Sequence, residues 1–244
     1  MIRKLFYKIT KKYWNILSYE HAQKNNFIVQ NGVFKDLKIN KDISWGQGDI
    51  ASKIYGLYEN RIQKILKEIR KPILIDVGAA DGYFAIGSLY SGLSEYCYAF
   101  EQSEIGKKTL LKTAQINNVS SKISIKGKVD SKNFLSMLPK DIDFSQVVLL
   151  CDIEGEEYNL FTNDILKKLA KANLIIEIHN NVEEKIQKQF LQRVKKYFNT
   201  SIIIDNQKEY VDLPLLHSLN DIDRALIACE GRSYIGKWLH LKPL

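Results

Sequence analysis

A short turn between two apolar segments places the strongest constraint on the fold of this chain. Residues 73–77 form an apolar run interrupted only by Asp76, and the turn Gly78-Ala79-Ala80-Asp81-Gly82 and a second apolar segment follow it. This order predicts a buried parallel strand, a tight loop and the start of a helix. Ligands of open α/β sheets bind at the carboxyl ends of such strands. We expect the missing side chain at Gly78 to let a ligand approach the backbone.

The turn differs from the dinucleotide-binding pattern G-x-G-x-x-G. Its second glycine is missing, and Asp81 lies where the helix is expected to start. In dinucleotide-binding proteins the pyrophosphate occupies that position. A carboxylate there favours a cationic or zwitterionic ligand over an anionic one. S-adenosylmethionine (SAM) carries both an ammonium and a sulfonium group, and we expect it to be the cofactor.

A second acid follows the next predicted strand. This strand covers residues 96–101 and ends at Glu101, about twenty residues after the turn. A carboxylate with that offset commonly accepts hydrogen bonds from a ribose diol. The turn and Glu101 together therefore predict a pocket for a nucleoside.

Composition limits the possible classes of protein. The 244 residues are 45% hydrophobic and carry a net charge of +8. No apolar run reaches the roughly 18 residues that cross a bilayer, and the first residues lack the continuous apolar region of a secretory signal. The three cysteines are far apart, as is typical of reduced thiols. We therefore expect a cytoplasmic protein.

The first 17 residues have the pattern of a basic amphipathic helix. Its basic residues are Arg3, Lys4, Lys8, Lys11 and Lys12. The apolar residues that recur at helical spacing are Ile2, Leu5, Phe6, Ile9, Tyr13, Ile16 and Leu17. Such a helix can make peripheral contact with the inner face of a membrane, or it can pack its apolar stripe on the domain or on the second subunit of a homodimer.

The remainder of the chain alternates between strand and helix patterns. Predicted strands cover residues 73–77, 96–101, 123–126, 146–152, 174–179 and 201–204, and two late strands, 225–229 and 237–241, are expected to form an antiparallel hairpin. Predicted helices cover residues 83–90, 104–117, 131–138, 156–170 and 182–198. The pattern predicts an α/β fold with a doubly wound, mostly parallel, seven-stranded Rossmann-like sheet.

Residues 1–70 are predicted to form an N-terminal helical extension with loops. Within it, residues 50–70 have a helical pattern, and residues 25–48 are expected to form loops or a short hairpin. Residues 71–244 are predicted to form the catalytic domain. Right-handed crossovers between parallel strands would bring all the strand ends to one edge of this domain.

A second polar cluster follows the fourth and fifth strands of the sheet. Four acids occur within residues 152–157, and Glu177 and His179 end the fifth strand. Residues two apart on a strand point to the same side, so Asp152, Glu177 and His179 could meet at one rim. The adjacent acids Glu156 and Glu157 are typical of the first turn of a helix, where they would act as electrostatic caps.

Two chemistries fit this cluster. His179, Asp152 or Glu154 could deprotonate a hydroxyl as general base. Alternatively, Asp152, Glu177 and His179 could hold Mg²⁺ or another divalent metal that lowers the pKa of the hydroxyl. A purely structural role, in which the acids order the loop, is also compatible with the sequence. The loop lacks the Asp/Asn-Pro-Pro-aromatic motif of nucleobase amine methylation, and no nucleic-acid partner is expected.

The two clusters together resemble the FkbM-like branch of class I SAM-dependent methyltransferases. The resembling segments are residues 76–83, Glu101, residues 152–156 and residues 177–179, with residues 56–59 upstream. The resemblance implies a methyltransferase sheet, and it implies cofactor contacts at Gly78, Ala79, Asp81, Glu101 and Asp130. We add Asp76, Tyr83, Gln102 and Asp152 from the same motifs. It also implies O-methylation of a sugar hydroxyl or of a natural product.

The leading hypothesis is an O-methyltransferase for a hydroxyl of a sugar, a cell-surface glycan or its precursor. A natural product or other small molecule is the alternative acceptor. A nicotinamide-dependent oxidoreductase and an inactive cofactor-binding subunit are more distant alternatives. Near the end of the chain, Arg232 could bind an anionic group of the substrate or form a structural ion pair.

Overall fold

Seven strands form one sheet in the order β3-β2-β1-β4-β5-β7-β6. The structure, a computed structural model, describes residues 2–41, 48–180, 182–205, 213–232 and 234–244. The strands are β1 (Ile73–Val77), β2 (Tyr96–Phe100), β3 (Ile123–Lys126), β4 (Val147–Cys151), β5 (Asn173–Glu177), β6 (Phe198–Asp205) and β7 (Gly236–Pro243). Strands β1 to β5 pair in parallel, and β7 runs antiparallel to both β5 and β6.

Helices cover both faces of this sheet. They are α1 (Ile2–Lys24), α2 (Ile50–Ile54), α3 (Asn60–Ile69), α4 (Tyr83–Tyr90), α5 (Glu104–Ile116), α6 (Glu157–Leu160), α7 (Asn163–Lys168), α8 (Glu184–Val194) and α9 (Asp221–Ala228). Alternate residues of β1 belong to different buried clusters, since Leu74 packs in one and Ile75 and Val77 pack in the other. Side chains of a strand alternate between faces, so the sheet lies between two apolar layers.

The predicted fold class is confirmed. The sheet is doubly wound, seven-stranded and mostly parallel, and its strand order has the Rossmann-like arrangement that the sequence predicts. Strand β4 is buried along its whole length, which explains its continuous apolar sequence. Chain order reverses between β1 and β4, and this switch point leaves a crevice at their carboxyl ends.

Several predicted elements were wrong in detail. Residues 225–228 belong to helix α9 and Cys229 follows it, and the start of α9 is capped by Asn220, whose side chain accepts a hydrogen bond from the Asp223 N–H. The antiparallel partner of β7 at the sheet edge is therefore β6. Residues 131–138 form a turn and one short 3₁₀ segment, Leu135–Met137, instead of an α-helix.

Two predicted helices are each divided. The helix expected at residues 50–70 is interrupted after α2, where Gly56 adopts a φ of +68°. The helix expected at residues 156–170 becomes α6 and α7, because Thr162 caps a new helix with its side-chain oxygen. In both cases a local backbone feature ended a helix that apolar periodicity alone would have continued.

The extension shares its core with the sheet. Phe34 is wholly buried, and a Cβ atom added at Gly87 of α4 would lie 2.6 Å from its ring. Ile28 and Lys38 form an isolated antiparallel bridge in the predicted loop region, of which residues 42–47 lie outside the described residues. The division of the chain into an N-terminal extension and a catalytic domain at residue 70 stays a prediction. Among the helices described, none is long and apolar enough to span a membrane.

Candidate functional site

A cavity of about 430 Å³ lies at the carboxyl ends of β1, β2 and β4. Its volume is in the range of small-molecule and cofactor sites. The turn after β1 forms one wall, and Phe100 with Glu101 at the end of β2 forms another. Asp152 and Glu154, after β4, lie at the rim on the other side of the switch point.

The turn after β1 has the shape that its sequence predicts, but for a different reason. Gly78 has a φ of +92°, and a Cβ atom on it would lie 1.8 Å from the carbonyl oxygen of Asp152. The Asp152 N–H in turn donates to the carbonyl of Val77. Gly78 is therefore required because β1 and β4 approach each other closely here, independently of any ligand.

Glu101 joins the end of β2 to the same turn. Its Oε2 accepts the N–H of Ala80 at 3.0 Å, and its Oε1 accepts the N–H of Ser103 at 2.6 Å. Gly106 makes room for this carboxylate, since a Cβ atom there would lie 2.7 Å from the Glu101 Cγ. The buried carboxylate is thus fixed beside the cavity, where each oxygen retains a lone pair for a ligand hydroxyl.

Asp76 presents a buried carboxylate to the cavity. Its Oδ2 is fully enclosed and has no hydrogen-bond partner among the described residues. Burial, followed by the charges of Asp152 and Glu101, raises the pKa of Asp76 to about 8. An enclosed acid with a free oxygen is suited to an ammonium group, which would supply both charge and hydrogen bonds.

Lys53 is a site residue that sequence reasoning missed, because no motif or spacing rule points to it. The ammonium of this buried α2 side chain lies 2.7 Å from Asp81 Oδ2 and 3.4 Å from Asp49 Oδ2. It also lies 4.9 Å from the centre of the Tyr58 ring. Burial opposes the charged form, but the two carboxylates outweigh it and raise the pKa of Lys53. The cavity wall beside Asp81 therefore carries a permanent cation.

The other predicted cofactor residues fall into two groups. Ala79, Tyr83 and Gln102 line the cavity, and the Tyr83 hydroxyl receives a hydrogen bond from Gln63. Asp130 lies outside the lining. It is exposed, and its carboxylate accepts the N–H groups of residues 132 and 133, so it caps a turn instead.

His179 is held from behind by Glu157. Glu157 Oε1 lies 3.2 Å from His179 Nδ1 and accepts the His179 backbone N–H at 3.0 Å. The other Glu157 oxygen accepts the N–H of Gly155 at 2.8 Å. Glu157 lies in the first turn of α6, as predicted, but it is wholly buried and also holds His179, which the sequence did not indicate. Fixing Nδ1 in this way directs Nε2 toward the rim.

The far nitrogen of His179 faces two carboxylates. Nε2 lies 3.4 Å from Asp152 Oδ1 and 3.3 Å from Glu154 Oε2. Burial opposes protonation of His179, but the hydrogen bond that its ring donates to Glu157 and the surrounding acids raise its pKa overall. The His179 side chain is only 3% exposed, whereas those of Asp152 and Glu154 are 33% and 86% exposed, so a substrate can reach the two carboxylates but not the imidazole.

Glu177 is engaged away from the rim. Arg232 forms ion pairs with Glu177, Glu59 and Glu230, which brings together β5, the segment before α3 and the segment before β7. Glu177 Oε2 remains 3.8 Å from His179 Nε2. Arg232 therefore forms structural ion pairs, which is one of the two roles predicted for it.

Three side chains at the rim could hold a metal ion, although not the three predicted. Asp152, Glu154 and His179 each offer a ligand atom within 4.8 Å of the others. Glu154 takes the role predicted for Glu177, because Glu177 forms an ion pair with Arg232. Two carboxylates and an imidazole suit a divalent cation, and the Glu157 contact to Nδ1 is typical of the carboxylate behind a metal-binding histidine.

No family model matches the chain, and no curated protein matches it in sequence. Similar solved structures include an NADB-Rossmann superfamily protein from Streptococcus agalactiae, at 20% identity and a TM-score of 0.48, over 76% of this chain and 68% of that one. A tRNA methyltransferase from Bacillus subtilis is 12% identical, with a TM-score of 0.49, over 75% of this chain and 65% of that one.

An O-methyltransferase from Bacillus cereus, solved in complex with SAH, is also 12% identical, with a TM-score of 0.49. The similarity covers 93% of this chain and 90% of that one. The FkbM-like resemblance stays a prediction, and the function has to be inferred from the site.

Proposed function

We propose that this protein is a SAM-dependent methyltransferase that methylates a hydroxyl oxygen. The observation that carries the proposal is the position of Asp152. Its backbone closes on the glycine turn at Gly78, while its carboxylate lies at the rim against His179. One residue therefore connects the predicted cofactor cavity with the polar cluster that could receive a proton.

The cavity has suitable partners for each part of SAM. Glu101 and Gln102 lie at the end of β2, where a carboxylate commonly binds ribose. Asp76, with its free Oδ2, suits the ammonium group. Lys53 is the cation beside Asp81 that suits the carboxylate of the methionine part. When bound, SAM supplies an electrophilic methyl group on a sulfonium.

The chain's own residues would manage the proton of the acceptor. Asp152 is partly exposed, and the burial of the rest of its carboxyl group raises its pKa, which makes it a stronger base than a fully exposed aspartate. His179 positions this carboxylate and supplies the adjacent positive charge when it is protonated. Glu154, at the exposed side of His179, offers a second oxygen to the acceptor.

Metal-assisted deprotonation is the second candidate mechanism, because Asp152, Glu154 and His179 converge. A divalent ion there would supply Lewis-acid activation of the hydroxyl. Dialysis against a chelator, followed by isothermal calorimetry with Mg²⁺ or Mn²⁺, distinguishes the two mechanisms. Binding that is lost in Glu154→Gln supports the metal mechanism. Full activity after chelation, with no metal binding, supports Asp152 acting as the base.

For the acceptor we propose a hydroxyl of a sugar, a cell-surface glycan or its precursor, and a natural product as the alternative. The FkbM-like resemblance supports both. We place the protein in the cytoplasm. Mass spectrometry of surface glycans and metabolites from a deletion strain would reveal a product lighter by one methylene. A change confined to RNA would contradict this acceptor class.

Calorimetric titration of the purified protein with SAM tests the core of the proposal. We expect saturable binding that weakens by more than tenfold in Glu101→Ala, since the variant loses the ribose partner and the contacts of Glu101 with Ala80 of the turn and with Ser103 before α5. The absence of binding at millimolar SAM would contradict the proposal, and binding of NAD in its place would favour an oxidoreductase. An inactive cofactor-binding subunit predicts that Asp152→Ala and His179→Ala leave cellular function intact.

A further inference from the structure

Helix α1 carries an apolar stripe that is not covered by the described part of the chain. Phe6, Ile9 and Ile16 are 64%, 57% and 46% exposed. Tyr13 lies on the same stripe; it is 45% exposed, and its hydroxyl donates to Asp223 of α9. The spacings of three and four residues place these side chains on one face of the helix. The described residues thus leave a continuous apolar stripe in contact with solvent.

A different face of α1 attaches the helix to the body of the protein. Leu17 and Ala22 are buried, and Ser18 donates a hydrogen bond to the carbonyl of Gly48 at 2.6 Å. The Trp14 ring packs so closely that Cβ atoms added at Gly48 or Gly231 would lie within 2.5 Å of it. Packing of α1 on the described part of the domain therefore does not account for the exposed stripe.

The first half of α1 is open to solvent in the described part of the structure, apart from the contact of Tyr13 with α9. Every residue from 6 to 13 is exposed, which corresponds to about 12 Å of helix. Lys8, Lys11 and Lys12 lie in this part, and no acid occurs in the sequence before Glu20. A helix with an apolar stripe on one face and lysines on its other faces has the composition of helices that lie in the surface of an anionic bilayer.

We propose that α1 docks on an anionic lipid surface through Phe6, Ile9, Tyr13 and Ile16, with the lysines on the headgroups. A second copy of the chain fits less well. Pairing two α1 helices through the stripe would bring their lysines close together, with no acid in the exposed half to compensate. Each lysine near an anionic bilayer instead contributes about 1 kcal/mol, roughly a fivefold gain in binding.

Docking of α1 would also place the candidate active site near the membrane. Trp14 contacts Gly48 and Gly231, which immediately precede Asp49 on the cavity wall and Arg232 of the ion-pair network. The same helix therefore contacts two segments that border the site. This consequence rests on the proposed function and points to an acceptor that is presented at a lipid surface.

Vesicle co-sedimentation of the full chain tests the proposal. We expect binding to vesicles of phosphatidylcholine with phosphatidylglycerol, little binding to phosphatidylcholine alone, and release by salt. Ile9→Asp should lower the bound fraction by at least about tenfold, and the double variant Lys8→Glu with Lys12→Glu by a similar factor. The matched control is Ile186→Asp, which replaces an exposed isoleucine of α8 and should bind like the wild type.

Other occupants of the stripe give different results. A dimer by light scattering that Ile9→Asp dissociates, without vesicle binding, would overturn the proposal in favour of self-association. Salt-sensitive RNA binding that Ile9→Asp leaves unchanged, without vesicle binding, would overturn the proposal in favour of a nucleic-acid surface. SAM binding is measured on every variant, so that failure of the proposed methyltransferase function can be distinguished from failure of the docking proposal. Vesicle binding without SAM binding would leave the docking surface intact.

Discussion

Glu157 Oε1 accepts the backbone N–H of His179 at 3.0 Å and lies 3.2 Å from Nδ1 of the same residue. The Glu157 side chain is wholly buried. The two residues lie 22 positions apart, on α6 and just after β5. Glu157 therefore fixes both the backbone and the ring of the histidine that faces Asp152. A carboxylate that orients an imidazole in this way is a common element of catalytic and metal sites.

Replacing Glu157 by glutamine should lower methyl transfer more than it lowers stability. The amide keeps one oxygen as an acceptor, so we expect a loss of about 1–3 kcal/mol in the free energy of unfolding. The orientation of His179 is weakened, and kcat should fall by at least about tenfold while SAM affinity changes little. Urea unfolding, calorimetry and a radiolabelled methyl assay measure these quantities. An unchanged kcat would assign Glu157 a structural role only.

Asp152→Asn tests the group that faces the acceptor. If Asp152 is the general base, kcat should fall by about 10²–10⁴-fold, because the amide cannot accept the proton. Glu156→Gln is the control, since Glu156 also lines the cavity but bonds only to Asn159 at 3.1 Å among the contacts described. Equal effects of the two variants would show that the cavity needs negative charge and not a base at residue 152.

The strands of the sheet and the glycine turn could be predicted from the sequence because both depend on the order of neighbouring residues. The apolar runs of β1 and β4 and the small residues at the turn are visible without any knowledge of contacts. Helix α9 also had a local signal, an Asn220 cap followed by two acids in the first turn, which the apolar pattern of residues 225–229 obscured.

The partners of the site residues could not be found in this way. Arg232 meets Glu59 from 173 positions away, and Lys53 meets Asp81 from 28 positions away. No spacing rule connects such residues, because the crossovers of the sheet bring them together. Glu157 shows the same limit. In the sequence it looks like an exposed acid of a helix start, and only the position of β5 shows that it is buried against His179.

Gly78→Ala should destabilise the protein well beyond the cost of its backbone conformation. A residue with a side chain at positive φ loses about 1–2 kcal/mol, and the added Cβ would also collide with the Asp152 carbonyl at 1.8 Å. Gly92→Ala separates the two contributions, since Gly92 has a φ of +68° and a Cβ atom added to it would meet no described atom within 4 Å. Thermal unfolding should show a larger loss for Gly78→Ala, and only that variant should lose SAM binding.

Arg232→Met should lower the free energy of unfolding by about 3–5 kcal/mol, because it leaves buried carboxylates without a cation. Adding Glu177→Gln removes one of those charges and should restore part of the loss. A coupling energy of about 0.5–3 kcal/mol in the double-mutant cycle would show this. Lys188→Met breaks an exposed ion pair with Glu184 and should change stability by less than about 0.5 kcal/mol. Additive effects of Arg232→Met and Glu177→Gln would contradict the network.

Asp76→Asn should stabilise the SAM-free protein at high pH while weakening SAM binding. Burial and the neighbouring Asp152, Glu101 and Asp81 raise the pKa of Asp76 from 3.8 to about 8. The folded state thus keeps a proton that the unfolded state releases above pH ~4. Stability contributed by this group is full below pH ~4 and is lost at up to about 1.4 kcal/mol per unit as the pH rises toward 8.

Asparagine does not titrate, so the advantage of the variant should grow between pH ~4 and ~8 and then remain constant. Urea unfolding at several pH values, without SAM, measures this difference, and calorimetry should show SAM affinity reduced by more than tenfold, because the ammonium partner is lost. Parallel pH profiles of the two proteins would mean that Asp76 is ionised in the folded state. Unchanged SAM affinity would place the ammonium elsewhere in the cavity.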